Sequence, residues 1–496
     1  MLTSGVFAQG ASKQEAPKVD GLLLEVSLTT KAPPKLVAPE IPAYQIVLPK
    51  TVPPPKETPA SNRSQSFKQE IGYVLPAERP MLASAPWQRL PDGSAVCRVV
   101  LRSEEAVGLR VQLSGSFGSD GLELRVYDPA GTVVLGPYSS PRFSDEKTWW
   151  SPTIFGDAIG LEFHLSAGAP FPPQMPEISA VAYLNCDCAF APGNPLGCHN
   201  DVTCSPDWAN EASAVARITF ISGGSCAACT GALLDRQAND GSPLMMTANH
   251  CIGTQAEANS LEAFWFFQTP TCNGAPPNPN NVPRTLGSVR LKRYTDADWV
   301  LLGLYQKPPS GYFLGWDAGD WDSEDDATGI HHPQASFKRI SFGESDGSTS
   351  NREFCDQNNN NCFEADVWDV EYTSGTAEPG SSGSPVFDSA RRVRGTLSGG
   401  ESGCPTITKR YGRFDEAFPA LSPYLFDIAD PVYVDRAFTG EERGTFSQPI
   451  DSVYQASFAV TAGHEIRIKA GNYPETFTIW RPMTLKAIGG TVVIGQ

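Results

Sequence analysis

From Pro86 the chain alternates apolar and polar positions in short runs: GSAVCRVVLRS, GLRVQLSGSF, LELRVYDPAG and IGLEFHLSAG. A period of two turns one face of each run toward a core and the other toward water, and the Gly, Pro and Asp residues between runs supply turns. This pattern predicts an antiparallel β-sandwich from about Pro86 to Leu184, within a domain at 86–190. A cysteine-marked junction, NCDCAFAPGNPLGCHNDVTC, follows. Beyond it come SAVARITFISG, PLMMTANHC, EAFWFFQ, DADWVLLGLY, ADVWDVEY and RVRGTLSGG, separated by Gly and Pro turns with little helical periodicity. They predict an all-β domain over 198–430, built as two Greek-key barrels or as one large sandwich.

The two ends have a different character. Residues 1–85 read as the remnant of a secretory signal (MLTSGVFAQGAS, without its charged start) and a Pro-rich linker, KAPPKLVAPEIPAYQIVLPKTVPPPKETP, suited to extended polyproline geometry. Within it GLLLEVSLTT has the pattern of a strand that forms on docking. Residues 444–496 predict a short helix, Ser452 to Val460, then the close-spaced strands HEIRIKAG, ETFTIW, MTLKAIG and TVVIG. That spacing suits one or two coils of a parallel β-helix.

Composition narrows the classes. The 496 residues are 40% hydrophobic and 19% charged with a net charge of −17, which supplies a core and argues against general nucleic-acid binding. No apolar run reaches the ~20 residues that cross a bilayer. Twelve cysteines point to an oxidising compartment and secretion. Cys226-Ala-Ala-Cys229 and Cys186-Asp-Cys188 each lack the second half of a zinc site, so disulfides are favoured.

EPGSSGSPVFD, Glu378 to Asp388, sets Ser382 in a glycine-bounded turn. Alone it is ordinary loop composition. LMMTANHC adds His250 at the end of an apolar strand, and DADWVLLGL adds Asp298 ahead of another. The chain order His, Asp, Ser on an all-β background is one known order of the serine-hydrolase constellation. Ser382 would attack a carbonyl, His250 would move the proton, and Asp298 would hold the imidazole tautomer. Gly380 and Gly383 allow a turn that aims the amides of Gly380 and Ser382 at the oxyanion.

CTGALLD, TANHC, DADWVLLGL, GIHHPQASFKRIS, EPGSSGSPVFD, RVRGTLSGG and YGRF together resemble the chymotrypsin-like secreted bacterial serine endopeptidases, and among them the lysyl endopeptidase branch. The resemblance covers Cys198 to about Asp430. It implies a double β-barrel, peptide-bond hydrolysis between the barrels, and His250, Asp298 and Ser382 as the triad. It further implies disulfides Cys198–Cys404, Cys204–Cys272 and Cys229–Cys251. Cys355 and Cys362, which flank DQNNNN, are expected to pair with each other, leaving Cys97, Cys186, Cys188 and Cys226 unassigned. The sandwich resembles the propeptide of these proteases, implying an inactive precursor cut between Leu184 and Cys198. The tail resembles the opening of pectin-lyase-type β-helices.

Two departures bear on specificity. Lysine-cleaving relatives place an aspartate where the register here puts Lys409, and a histidine where this chain has Ser398. With Ser398, Gly399 and Gly400 as pocket wall, an inward Lys409 repels a P1 lysine and favours P1 Glu or Asp. Across the shortened loop Lys409 otherwise points to solvent and leaves Glu401 as the nearest carboxylate. Thr376 replaces the aspartate of trypsin-like pockets. Ser381 replaces the aspartate that traps a new N-terminus in trypsin-type zymogens, so latency falls to the propeptide.

Other features have plainer readings. His164 and the pair His331-His332 are expected to be structural. The acidic WDAGDWDSEDDATG, around Asp320, reads as a solvated loop before a Ca²⁺ site. No cofactor or metal is expected, and the protein is expected to act as a monomer on protein or peptide substrates. The alternative is a catalytically inactive surface or carbohydrate-binding protein on a protease-like scaffold; an intact triad argues against it.

Overall fold

The computed structural model describes residues 16–24, 33–48, 68–77, 81–115, 121–138, 148–185, 197–355, 362–401, 403–404, 407–426, 429–475, 477, 479 and 481–495. Cys186, Cys188, the signal-like start and the expected cleavage segment lie outside them.

The protease region is two closed barrels. In the first, β1 (Val215–Ser222) pairs with β2 (Ser225–Leu233), and β2 with β3 (Leu244–Ala248). On its other side β1 pairs with β4 (Glu262–Phe264), and β4 with β5 (Arg284–Leu286). Then β6 (Ser288–Tyr294) pairs with β7 (Trp299–Leu304), which returns to β3. The ring closes because β5 and β6 are one strand bent at Gly287. There φ is +69°, and a Cβ would meet the Tyr305 ring at 2.6 Å.

The second barrel comprises β8 (Asp326–His331), β9 (Arg339–Cys355), β10 (Cys362–Ser374), β11 (Pro385–Phe387), β12 (Val393–Gly400) and β13 (Ile407–Arg413). Its ring runs β12-β11-β8-β9-β10-β13 and back to β12. The choice left open by the sequence is thus resolved as two six-stranded barrels. Trp299 Nε1 donates across them to the Gly412 carbonyl at 2.8 Å.

The sandwich has two sheets around Val99, Leu101, Leu109, Val111, Leu124 and Phe163. One sheet extends past the expected boundary. Gln69–Pro76, inside the stretch read as linker, pairs with Glu177–Leu184 on one side and with β2 on the other. A single sheet therefore runs from the sandwich into the first barrel. Its proline-rich surroundings masked this strand, although its own eight residues carry proline only at the end. Leu22–Leu23 pairs with Tyr312–Phe313.

Among the described residues three helices were not expected, Ala209–Ala214, Gln255–Asn259 and the longest, Phe414–Leu425. Phe414–Leu425 carries Pro419 and Pro423, which obscure its period, yet it packs Phe414 against Trp299 and Trp316 at 5.1 and 5.3 Å between ring centroids. The tail forms the helix Val453–Ala459, capped by the Ser452 side chain, and a parallel ladder of Val432–Val434, Glu465–Tyr473 and Thr484–Ile494. Among the described residues no helix is long and apolar enough to cross a membrane.

Candidate active site

Strand β3 is buried along its length and delivers His250 to the junction between the barrels. Asp298 waits there at the end of a 3-10 turn, in the left-handed region at φ 56° and ψ 37°. Asp tolerates that conformation better than most residues. Its carboxylate accepts the His250 backbone N–H at 2.8 Å on Oδ1 and holds His250 Nδ1 at 2.6 Å on Oδ2. The Asp298 carbonyl accepts from the Asn249 amide at 2.8 Å. Asp298 is only 1% exposed. A carboxylate accepting at Nδ1 places the ring N–H there and leaves Nε2 as the acceptor nitrogen. Behind the ring, Cys251 is bonded to Cys229.

Ser382 comes from the second barrel, between β10 and β11. Its turn is tied by Ser381 N–H to Glu378 O at 2.9 Å and Ser384 N–H to Ser381 O at 3.0 Å. It is fastened to the first barrel by Thr230 N–H donating to the Ser382 carbonyl at 2.8 Å and Thr230 Oγ1 to the Gly380 carbonyl at 3.0 Å. Gly383, at φ +82°, lies so close to β3 that a Cβ would fall 2.1 Å from Thr247 Oγ1 and 2.9 Å from the Ala248 nitrogen. The serine turn therefore rests on the end of the strand that carries His250. Gly380, at φ +95°, is equally confined: a Cβ there would fall 2.7 Å from the Ala335 nitrogen. The Gln334 amide donates to the Pro379 carbonyl at 2.6 Å. The Pro379–Gly380 peptide is trans, so its N–H points away from Gln334.

The Lys409 side chain turns inward. It lies across from Gly400 in the β12–β13 ladder, and its Cδ sits 2.9 Å from where a Gly400 Cβ would be. Its Nζ donates to the Glu401 carbonyl, while the Glu401 side chain belongs to an exposed residue. Burial pulls the Lys409 pKa down to about 8 against the opposing pull of Glu378 and Glu401. Ser398 and Thr376 are fully buried.

Behind the turn lies a polar network built on His331, which the sequence marked as structural, with His199, Ser341 and Glu378, which it did not. His331 bridges Ser381 Oγ at 2.9 Å and Ser341 Oγ at 3.1 Å, and His199 Nε2 meets Glu378 Oε2 at 2.7 Å. His332 faces the other way, to the Ser336 carbonyl at 2.9 Å. Burial drives both His331 and His332 well below the usual imidazole range, so both are neutral.

The four expected disulfides are present: Cys198–Cys404, Cys204–Cys272, Cys229–Cys251 and Cys355–Cys362. Cys97 and Cys226 are free and buried. Among the described residues, ligand-type side chains cluster within 4.8 Å only at Cys229-His250-Cys251 and Glu353-Cys355-Cys362, where the cysteines are already disulfide bonded. In the acidic loop Asp317 pairs with Arg394 at 3.2 Å and Asp325 accepts from Trp321 Nε1 at 3.0 Å.

The two closed barrels are the double β-barrel fold of chymotrypsin-like proteases, and the chain is a serine endopeptidase. The family model for the lysyl endopeptidase C-terminal domain matches residues 193–415, and that for the lysyl endopeptidase N-terminal domain matches 55–183. A lysyl endopeptidase of Pseudomonas aeruginosa is 28% identical over 394 residues, covering 72% of this chain and 81% of the relative. Within its class the chain therefore resembles the lysyl endopeptidase branch. Among solved structures, the active form of the Rv3671c protease from M. tuberculosis aligns over 45% of this chain and 87% of its own, at 15% identity and a TM-score of 0.33. The HtrA-type protease AlgW with a tripeptide aligns over 44% and 62%, at 14% identity and a TM-score of 0.32.

Proposed function

We propose that this endopeptidase cuts through a triad of His250, Asp298 and Ser382. The carrying observation is the 2.6 Å contact of His250 Nδ1 with Asp298, made beside a serine turn seated on the same strand. Ser382 Oγ bonds to the scissile carbonyl carbon as its proton passes to His250 Nε2. The carbon–nitrogen bond then breaks and the leaving amine takes that proton. Water repeats the sequence on the acyl-enzyme and restores Ser382. The Gly380 and Ser382 amides stabilise the oxyanion, a contribution of ~3 kcal/mol per donor in comparable sites.

Lys409 selects at P1 by Coulomb logic: its ammonium disfavours lysine and favours Glu or Asp. The protein is secreted as a precursor, with the sandwich as folding aid and inhibitor. The disulfides support the oxidising destination.

Cleavage of a mixed peptide library by processed protein, read by mass spectrometry beside Ser382→Ala, tests both parts. Cuts after Glu or Asp that vanish in the variant are expected, together with fluorophosphonate labelling of Ser382. Cuts after lysine would overturn Lys409 as selector. No Ser382-dependent cutting or labelling would overturn the triad.

A further inference from the structure

The connection between the two barrels is itself paired. Between β7 and β8 the chain crosses the molecule from Gly311 to Ala318. It is held on one side by Asp235 N–H donating to the Leu314 carbonyl at 2.9 Å, and on the other by Val393 N–H donating to the Gly315 carbonyl at 2.9 Å. Residues 16–24 lie along it as an antiparallel strand in two short pieces: Lys18–Val19 pairs with Trp316–Asp317, and Leu22–Leu23 with Tyr312–Phe313. Main-chain bonds close both ends, Ala318 N–H to the Pro17 carbonyl at 3.0 Å and Leu24 N–H to the Gly311 carbonyl at 2.8 Å. Glycines on both sides shape the fit. A Cβ on Gly21 would fall 2.1 Å from the Tyr312 hydroxyl, and one on Gly315 would fall 2.5 Å from the Gly21 nitrogen. A Cβ on Gly241 would fall 2.4 Å from Leu24 Cδ1. Val19 is buried in the same apolar core as Trp299 and Trp316, with Leu22 and Leu24 packed against it. Asp20 meets Arg392 at 2.6 Å.

We propose that Gly311–Ala318 is a strand-docking site whose occupant is the amino-terminal segment Ala16–Leu24, and that this contact tethers the sandwich to the protease once the chain is cut between Leu184 and Cys198; the tethering role rests on the precursor reading above. A site of this kind draws affinity from main-chain bonds and specificity from pockets for some of the side chains. Here Val19, Leu22 and Leu24 enter, while Leu23 is 66% exposed. The chain that leaves this site enters the sandwich: Val37 N–H donates to Glu162 Oε1 at 2.8 Å, and Tyr44–Val47 runs parallel to Ala95–Arg102. The cut sandwich thus holds the protease at two places, this site and the Gln69–Pro76 ladder. Two linked contacts hold far longer than either alone, because each keeps the other at high local concentration when it opens.

The test uses the full chain with Ser382→Ala, which prevents self-digestion, and a recognition sequence for a foreign protease placed between 186 and 197. After that cut, gel filtration follows release of the sandwich fragment. Release from the unaltered segment is expected to be slow. Gly21→Leu, which drives a side chain into Tyr312, should speed it roughly a hundredfold. An excess of free peptide of residues 16–24 should also speed release, and the same peptide with Gly21→Leu should not; this arm leaves the docked segment of the chain unaltered. Release at one rate from the unaltered and Gly21→Leu chains, or a rate unmoved by the peptide, would overturn the proposal. Because the cut is introduced, the precursor reading fails separately. Amino-terminal sequencing of the protein's own mature form that finds no end between 184 and 198 would overturn that reading and leave the docking site standing.

Discussion

The sandwich and the tail are both attached to the first barrel, and they are attached by different physics. The sandwich has a core of its own, and its contact with the barrel is a seam. The seam consists of the Gln69–Pro76 ladder, a small apolar cluster and a set of polar clasps. In one clasp the fully buried Glu262 accepts from Thr153 Oγ1 at 2.6 Å and from Arg284 at 3.0 Å. In another, Asn280 brackets the Phe155 backbone at 2.9 and 2.8 Å. Lys68 meets Glu257 at 2.7 Å in a third.

The tail has no such seam. Tyr454, Phe458, Val460, Ile466, Ile468 and Tyr473 belong to the same apolar core as Trp299 and Leu302 of the barrel. The Phe458 ring lies 2.6 Å from where a Cβ on Gly303 would be. Arg236 and Arg481 satisfy the open carbonyls at the end of the tail helix, Arg481 reaching Val460 O at 2.6 Å. A body with its own core and a polar seam can leave intact. One that shares its core with the barrel cannot.

Deleting residues 451–496 is therefore expected to cause the largest loss, insoluble or unfolded protein, whereas a chain of 198–496 produced by cutting the precursor stays folded. Solubility and thermal melts of the two products check this, and a stable tail-less protease would break the contrast. Next, Phe458→Ala empties a buried ring site and should cost about 3–5 kcal/mol in a denaturant melt of the 198–496 product. Smaller again, Asn280→Ala loses both bonds to Phe155 and should weaken retention of the cut sandwich by about 1–3 kcal/mol. Size-exclusion of the cut complex reads it, with the melt of the separated protease unchanged.

The smallest effects are those of pH, and the two attachments respond with opposite sign. Burial raises the Glu257 carboxyl, but the Lys68 charge and hydrogen bonds from Lys68, Ser222 and Thr254 outweigh it and hold the group below its usual range. A depressed carboxyl stabilises above its unfolded pKa and loses that contribution as pH falls through the folded value. Sandwich retention should accordingly weaken in acid, and less so in Lys68→Ala. Glu442, beside the tail, is pushed up to about 7 by burial and by Asp451. A raised carboxyl stabilises below its unfolded pKa and loses that contribution as pH rises to about 7. The melting temperature of the 198–496 product should fall across that window, and Glu442→Gln should flatten the fall.

Much of this was legible because it depends on local pattern. Alternation marked the sandwich strands and both sets of barrel strands, and the tail helix was read over Ser452 to Val460, where Val453–Ala459 forms it. His250, Asp298 and Ser382 each stood in a recognisable setting. What the sequence hid depends on distant partners. The closing bend at Gly287 looks like any loop glycine until β4 and β7 are placed on either side of it. Gln69–Pro76 has strand pattern but sits in proline-rich surroundings, and its identity comes from the two strands it joins. The direction of Lys409, left open between pocket and solvent, is set by the vacancy at Gly400 and by a backbone carbonyl of Glu401. The Phe363 ring stacked on His250 comes from a hairpin more than a hundred residues downstream.

Cys226 lies opposite Gly72 in the seam, with its Sγ 3.7 Å from the Tyr73 carbonyl. Burial pushes this thiol up to about 12, so it is inert while the strand is in place. Removing the sandwich would strip the cover from that barrel edge and wet the sulfur. Were the sandwich removed, Cys226 would come within reach of a maleimide, and peptide mapping of the label would tell Cys226 from Cys97, Cys186 and Cys188.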